Sequence, residues 1–400
     1  MLALTSTCRA LVPRAPTRVR PSCCTLARRR GLKTGLVGMP NVGKSSLFNA
    51  LTGTVDSAMV ANYPFATIDP NSGVAKVQDD RLFALADAVG SRKTLPAVLE
   101  FFDIAGLVEG ASNGEGLGNK FLGNIRECDA IIHVVRCFDD DDIIHVESNV
   151  DPLRDVSIIN IELALADLEQ VERRRNRVVK TARSGNLEAR EELKTLDLLL
   201  EALGHGKAAR HAGLEYEQRQ LIKGLHLLTM KPTIYAANVD DSSLGDGNPY
   251  SIALENFVRS EGDVESTVIN VSAQFESEII ELDAEERADY LSLCGIKRDD
   301  EYGLTQLTKA AYSALGLHTF FTAGPQETRA WTIPIGARAP EAAGKIHTDI
   351  RDGFIRADRV TVEQMVEQKT WEMLKATGSV RSEGKEYVVM DGDVLLFHHQ

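Results

Sequence analysis

From Thr34 onward, short apolar runs alternate with segments whose apolar residues recur every three to four positions. The runs at 34–37, 98–102, 131–135, 233–237 and 267–271 have the length and composition of buried strands. Segments 45–51 and 303–315 carry helical periodicity between them. Strand–helix alternation of this kind predicts an α/β fold built on a doubly wound, mostly parallel sheet.

One stretch breaks the alternation. Between 131–135 and 233–237 lie almost 100 residues without a convincing strand. Ile158, Ile161, Leu165 and Leu168 recur at helical spacing, as do Leu193, Leu196, Leu200 and Leu203, and the turn-like ARSGN at 182–186 separates the two sets. The pattern predicts an antiparallel helical hairpin; two helices packed flat on the sheet would satisfy it too. The last 80 residues change character again. A strand at 331–335, a short helix at 341–349 and a closing hairpin, 387–390 with 394–397 around Asp391-Gly392, suggest a small α+β module.

Composition narrows the class. A hydrophobic fraction of 43% and a charged fraction of 26% fit a globular chain, and no apolar run approaches membrane-spanning length. The net charge of −13 gives a field that repels nucleic acid, so no DNA partner is expected and any RNA contact must be local. Residues 1–33 hold seven arginines and one lysine, while the first acidic residue is Asp56. An Arg-rich, acid-free leader reads as a mitochondrial or chloroplast transit peptide, or else as a basic arm for RNA or lipid. Cys8, Cys23, Cys24, Cys128, Cys137 and Cys294 show neither a disulfide framework nor metal-ligand spacing.

The chemistry is concentrated at one strand–helix junction. GMPNVGKS at 38–45 is a complete GxxxxGK[ST] loop. Asn41, Val42, Gly43, Lys44, Ser45 and Ser46 are therefore candidate phosphate-binding residues, with Lys44 on the β- and γ-phosphates and the Ser45 hydroxyl on Mg²⁺. Asp103, in DIAG at 103–106, follows the next core strand and suits a metal-side carboxylate, with Gly106 sensing the γ-phosphate. Thr67 lies between these motifs, where a switch threonine closes on the metal. Leu107 follows Gly106 where many GTPases place a water-orienting glutamine.

Base selection rests on AANVDDSS at 236–243. A guanine site carries Asn-Lys-x-Asp; here Asn238 and Asp241 stand at the first and fourth positions, and Val239 replaces the lysine. Such an Asp accepts from guanine N1–H and the 2-amino group, donors that adenine lacks. Asn238 can reach purine N7 of either base. Ser272 and Ala273, in VSA at 271–273, lie where a backbone N–H would approach the purine six-substituent of either.

These motifs, with DIAGLVEGASNGEGLGNK at 103–120 and AWTIPIGARAPEAAGKIHTDIRDGFIRAD at 330–358, resemble the YchF/Obg-like ATPase family over nearly all of the chain from Thr34. The resemblance implies a P-loop G domain at 34–155 and 230–316, an inserted helical domain at 156–229, and a ubiquitin-like β-grasp (TGS) domain at 317–400. It also implies slow hydrolysis of ATP, of GTP in some members, and association with ribosomes. The family lacks the glutamine, and the resemblance assigns its water-positioning role to His145, which from its residues alone is a loop histidine with or without a function. His133, inside an apolar strand, reads as a core residue. Asn41 is either a turn residue or, by similarity to other glutamine-less GTPases, a ligand of K⁺.

The family's base motif is Asn-x-x-Glu, from which Asp241 departs. The missing lysine and the resemblance favour ATP, whereas Asp241 favours GTP. A nucleotide-driven switch, an Obg-type GTP switch and a scaffold merely stabilised by nucleotide all remain open. For ribosomal RNA, Arg173, Arg174, Arg175, Arg177 and Lys180 form the densest basic cluster; Lys345, Arg351, Arg356 and Arg359 form a thinner one.

Overall fold

The computed structural model describes residues 32–53, 71–104, 117–140, 142, 149–261, 266–280, 282, 284–293 and 303–400. Almost all of the leader, together with Thr67, Gly106, Leu107 and His145, lies outside these residues. In chain order the first elements are β1 (Lys33–Val37), α1 (Lys44–Gly53), β2 (Ser72–Val77), α2 (Asp80–Val89), β3 (Thr94–Leu95), β4 (Ala97–Asp103), α3 (Leu117–Glu127) and β5 (Ala130–Arg136). There follow α4 (Pro152–Arg183), α5 (Leu187–Gly204), α6 (Tyr216–Ile222), β6 (Thr233–Asn238), α7 (Pro249–Ser260), β7 (Thr267–Val271), α8 (Ala273–Ile279), α9 (Ala284–Leu293) and α10 (Gly303–Ala314). The last are β8 (Leu317–Ala323), β9 (Thr328–Pro334), α11 (Ala339–Ile346), α12 (Thr348–Asp352), β10 (Phe354–Thr361), α13 (Val362–Gln368), α14 (Trp371–Ala376), β11 (Arg381–Glu383) and β12 (Asp393–His399).

The five strands expected from the apolar runs join a sixth, β2, in one sheet of order β2-β4-β1-β5-β6-β7. Every residue of β5 and β6 is buried, as befits central parallel strands covered on both faces. β2 was not expected from the pattern: it is an antiparallel edge strand whose Ser72, Gly73 and Lys76 dilute the apolar signal. Cys128 and Cys137 are buried in this body, and burial pushes both thiols up to about 12, away from reactivity.

The long insertion forms the expected antiparallel helix pair, and of the alternative with both helices flat on the sheet only the first half of α4 remains. α4 starts on Asp151, whose side chain accepts from Arg154 N, with Pro152 in the first turn. Its first half lies on the sheet, burying Ile159, Leu163 and Ala166 in the main core. Its second half packs Val171, Val178 and Ala182 against Leu196, Leu199 and Leu203 of α5 in an antiparallel pair. The expected stripe on α4 is therefore corrected: Ile161 and Leu165 are exposed, because the face turned to the sheet is one residue or two away from it. Asp167, fully buried, anchors the returning chain by accepting from Leu228 N, Thr229 N and Thr229 Oγ1 at 2.7–2.8 Å. Within the basic cluster, Arg173 pairs with Glu169, Arg174 with Glu192 and Arg175 with Asp197, so much of its charge is already neutralised.

The C-terminal residues build a second sheet, β11-β10-β12-β8-β9-β3. The expected closing hairpin does not form. β12 runs antiparallel to β10 and parallel to β8, while the 387–390 segment makes only a bridge between Val388 and Arg338. The cause is Asp393, 1% exposed, whose carboxylate accepts from Tyr387 Oη, Met390 N and Arg359 Nε and turns the chain there. The expected helix at 341–349 is two helices, broken where His347 is extended at φ −159° and its ring accepts from Asp349 N. The final strand comes from far upstream: β3 adds to β9 in parallel.

His133 in β5 is 2% exposed, with its ring beside Tyr235 at a centroid distance of 5.5 Å. Burial lowers its pKa from 6.5 to about 3. The unfolded chain thus takes up a proton near pH 6.5 that the native state refuses until about pH 3, so stability is full above that window and falls as pH drops through it. Between pH 7.5 and 5.5 this histidine is expected to cost about 1.4 kcal/mol of unfolding free energy. Urea denaturation at the two pH values checks it: the component disappears in His133→Leu, and an undiminished pH difference in that variant refutes the assignment.

Candidate nucleotide-binding site

β1 lies between β4 and β5, so its carboxyl end opens at the centre of the first sheet. There the chain turns through residues 38–43 before α1 begins. A Cβ on Gly38 would lie 2.6 Å from Val134 O, so the loop's first glycine permits contact with the β5 backbone. Asn41 occupies the left-handed region at φ 61°, which asparagine tolerates better than most residues. Gly43, at φ 89°, has no room for a side chain: a Cβ would fall 2.4 Å from Asn238 Nδ2. The first turn of α1 carries no acid, leaving its N-terminal amides and partial positive charge for an anion.

Lys44 opens that helix and is 8% exposed. Desolvation lowers its pKa and the nearby Asp103 opposes the shift. A buried ammonium in this position gains from a phosphate. The Ser45 hydroxyl donates to Asp103 Oδ2 at 2.8 Å, and Asp103 N donates to Asn71 O at 3.0 Å. Asp103 Oδ1 is buried and has no hydrogen-bond partner among the described residues. A hydroxyl beside a carboxylate with an uncommitted oxygen is a hard-donor set that fits Mg²⁺. Ser46, the next residue of α1, is exposed.

The base-reading segments meet the loop from the other side. Asn238 ends β6 and is 3% exposed. Its Nδ2 donates to Val42 O at 2.9 Å and its Oδ1 accepts from Ala273 N at 3.0 Å. Its second side-chain N–H has no partner among the described residues. Val239, 2% exposed, packs in a cluster with Val135, Tyr235 and Leu254, and its N–H donates to Val271 O at 2.8 Å. Asp241 Oδ1 accepts from Ser272 Oγ at 2.5 Å, and that hydroxyl also caps α8 by accepting from Phe275 N.

Asp240 was not singled out from sequence, yet it shapes this turn. Its carboxylate accepts from Ser242, Ser243 and Asn248, and those bonds, Ser242 foremost, hold its pKa below the usual carboxylate value. The signal was present as an Asp followed by serines two and three positions on. The two adjacent acids thus divide the work: Asp240 closes the turn, and Asp241 faces the 271–273 loop.

A GxxxxGK[ST] loop between a central parallel strand and a helix, braced by an asparagine from β6, defines a P-loop nucleoside triphosphatase with the GTPase fold. Residues 33–166 match a family model described as a 50S ribosome-binding GTPase, and residues 317–400 match one described as a protein of unknown function, DUF933, the YchF-type C-terminal region. Proteins named ribosome-binding ATPase YchF are 50% identical over 367 residues in Haemophilus influenzae and 51% over 368 in Bacillus subtilis, covering 92% of this chain and 98–99% of theirs. The solved YchF GTPase of Schizosaccharomyces pombe superposes with a TM-score of 0.81 at 38% identity, over 93% of this chain and 98% of that one. The chain belongs to the YchF family.

The Asn238 brace makes a direct prediction. Asn238→Ala leaves Val42 O and Ala273 N buried without their partner, at a cost of about 2–4 kcal/mol. Urea denaturation should show that loss, and calorimetric titration should show at least about tenfold weaker ADP binding, 1.4 kcal/mol. Parental affinity in the variant would mean that the brace does not shape the site.

Proposed function

We infer that the chain is a slow Mg²⁺-dependent ATP phosphohydrolase that serves as a ribosome-associated switch. The observation that carries it is the assembled cluster of Lys44, Ser45 and Asp103 at the N-terminus of α1, in a chain whose bacterial relatives are named ribosome-binding ATPases. The division into a G domain at 34–155 and 230–316, a helical domain at 156–229 and a TGS-like domain at 317–400 belongs to the same proposal, as does import of the chain into an organelle by its leader.

In this mechanism the α1 amides and Lys44 grip the phosphate chain, and Ser45 and Asp103 hold the metal. Mg²⁺, when bound, screens phosphate charge and orients the oxygens. Thr67 and Gly106 are the residues that close on the γ-phosphate. Leu107 has no hydrogen-bonding group, which accounts for slow turnover, and His145 positions the water. Asn41 is the candidate ligand should K⁺ supply the missing cationic charge; equal turnover in K⁺ and Na⁺ buffers removes that role.

ATP is favoured by the apolar Val239, which cannot supply the lysine stem that lines guanine in the Asn-Lys-x-Asp signature. A GTP reading is supported by one observation: Asp241 is held by Ser272 in reach of the 271–273 loop, as a guanine-reading carboxylate would be. Titration of the purified protein with non-hydrolysable ATP and GTP analogues separates them. Comparable or tighter ATP binding is expected; GTP binding at least about tenfold tighter, 1.4 kcal/mol, reverses the assignment.

Two variants test the chemistry. Lys44→Ala is expected to abolish hydrolysis and to remove any nucleotide dependence of ribosome association in sedimentation assays; nucleotide-independent association in the parent itself points to a scaffold. His145→Ala is expected to lower kcat about 10²-fold with little change in affinity, the scale of one positioned proton-transfer or water-orienting group. Parental turnover in that variant removes His145 from the mechanism.

A further inference from the structure

β2 and β4 form an antiparallel pair, with α2 and β3 between them in the chain and six paired positions from Ser72↔Phe102 to Val77↔Ala97. One end reaches the metal side of the site, where Asn71 O holds Asp103 N and Asp103 holds Ser45. The other end is fastened to the second sheet at two places. At the first, Arg81 in the opening turn of α2 is gripped by two carboxylates. Its Nε and Nη2 donate to Asp79 at 2.9 and 2.7 Å, and its Nη1 donates to Asp391 Oδ2 at 2.7 Å. Asp391 is itself fixed by Thr319 N of β8, and the guanidinium lies 5.4 Å from the centre of the Phe321 ring. Gly392, at φ 81°, allows the approach: a Cβ there would lie 3.0 Å from Arg81 Nη1.

The second fastening is β3. Thr94 and Leu95 pair with Thr328 and Arg329 of β9, Thr328 N donates to Lys93 O at 2.9 Å, and Arg92 N donates to Pro325 O at 3.1 Å. Ser91 Oγ donates to Gly324 O at 2.8 Å and lies 2.6 Å from Thr328 Oγ1. Only Pro96 separates this strand from β4, whose last residue is Asp103. A seven-residue strand spans about 23 Å, so a displacement at β9 is carried along a stiff rod to the metal carboxylate. The pair cannot yield by gradual slippage, because a one-residue shift turns every side chain to the opposite face.

We propose that the β2–β4 pair links the second sheet to the nucleotide site, with Arg81 as a positioning residue that keeps Asp103 in register through its bonds to Asp79 and Asp391. What binds or moves the second sheet then changes turnover, and a change of bound nucleotide changes the hold of β3 on β9 through the same strands. The proposal rests on the chain being a nucleotide hydrolase.

The test uses full-length protein. Arg81→Gln and Asp391→Asn are each expected to lower kcat about fivefold, the low end of measured couplings, with the ADP dissociation constant within about twofold of the parent. The double variant should be no slower than Arg81→Gln alone, since Asp391→Asn then acts on a contact that Arg81→Gln has already removed. Parental kcat in the folded single variants, or additive losses in the double, overturns the proposal. Hydrogen exchange of the unaltered protein tests it without any substitution. The Arg92 and Thr328 amides should change their exchange rate at least about threefold between the ADP-bound and non-hydrolysable ATP-analogue states; unchanged protection overturns the coupling. This arm needs only binding, so absence of hydrolysis in the parent refutes the enzyme assignment while exchange still decides the link.

Discussion

The side chain of Asn238 is the joint on which the nucleotide site depends. A single buried amide takes the Val42 carbonyl on one side and the Ala273 amide on the other, and so fixes the phosphate loop relative to the loop after β7. Gly43 has no side chain because that amide occupies the space. In guanine sites of the Asn-Lys-x-Asp type, a lysine stem shares this anchoring. Here the residue beside the asparagine is Val239, turned into the core, so the tie between loop and base segment runs through Asn238. Asp241, at the fourth position of the base segment, is held separately, by the Ser272 hydroxyl of the loop after β7.

The centre of the first sheet was legible in the sequence because β5 and β6 are buried on both faces and read as unbroken apolar runs. The phosphate loop was legible because its glycines answer steric demands visible in the motif itself. The helical insertion was half legible. Periodicity announced two helices, yet α4 serves two partners along its length, and Ile161 and Leu165 follow a spacing that neither partner uses. Apolar periodicity says that a face exists; it does not say which of two neighbouring stripes meets the protein.

The C-terminal sheet was the least legible, and the reason is charge. Its turn is made by buried Asp393 drawing in Tyr387, Arg359 and Met390 N, partners that polar-sequence reasoning assigns to the surface. Arg359 likewise looked like one of a few basic residues for RNA and is instead spent on that carboxylate. The same discount applies to the arginines of the helical pair, three of which face acids on their own or the adjacent helix. A count of basic residues overstates the free positive charge in so acidic a chain.

β3 has a consequence for how the protein is made. Its partner strand in the second sheet is encoded more than 200 residues later, and at about 5–20 residues per second a ribosome needs roughly 10–45 s to reach it. During that interval the partner of residues 94–95 in the second sheet has not yet been made. β9 pairs with β8 over seven positions and with β3 over two, so the last-made hairpin carries its own register and closes on an edge made long before it.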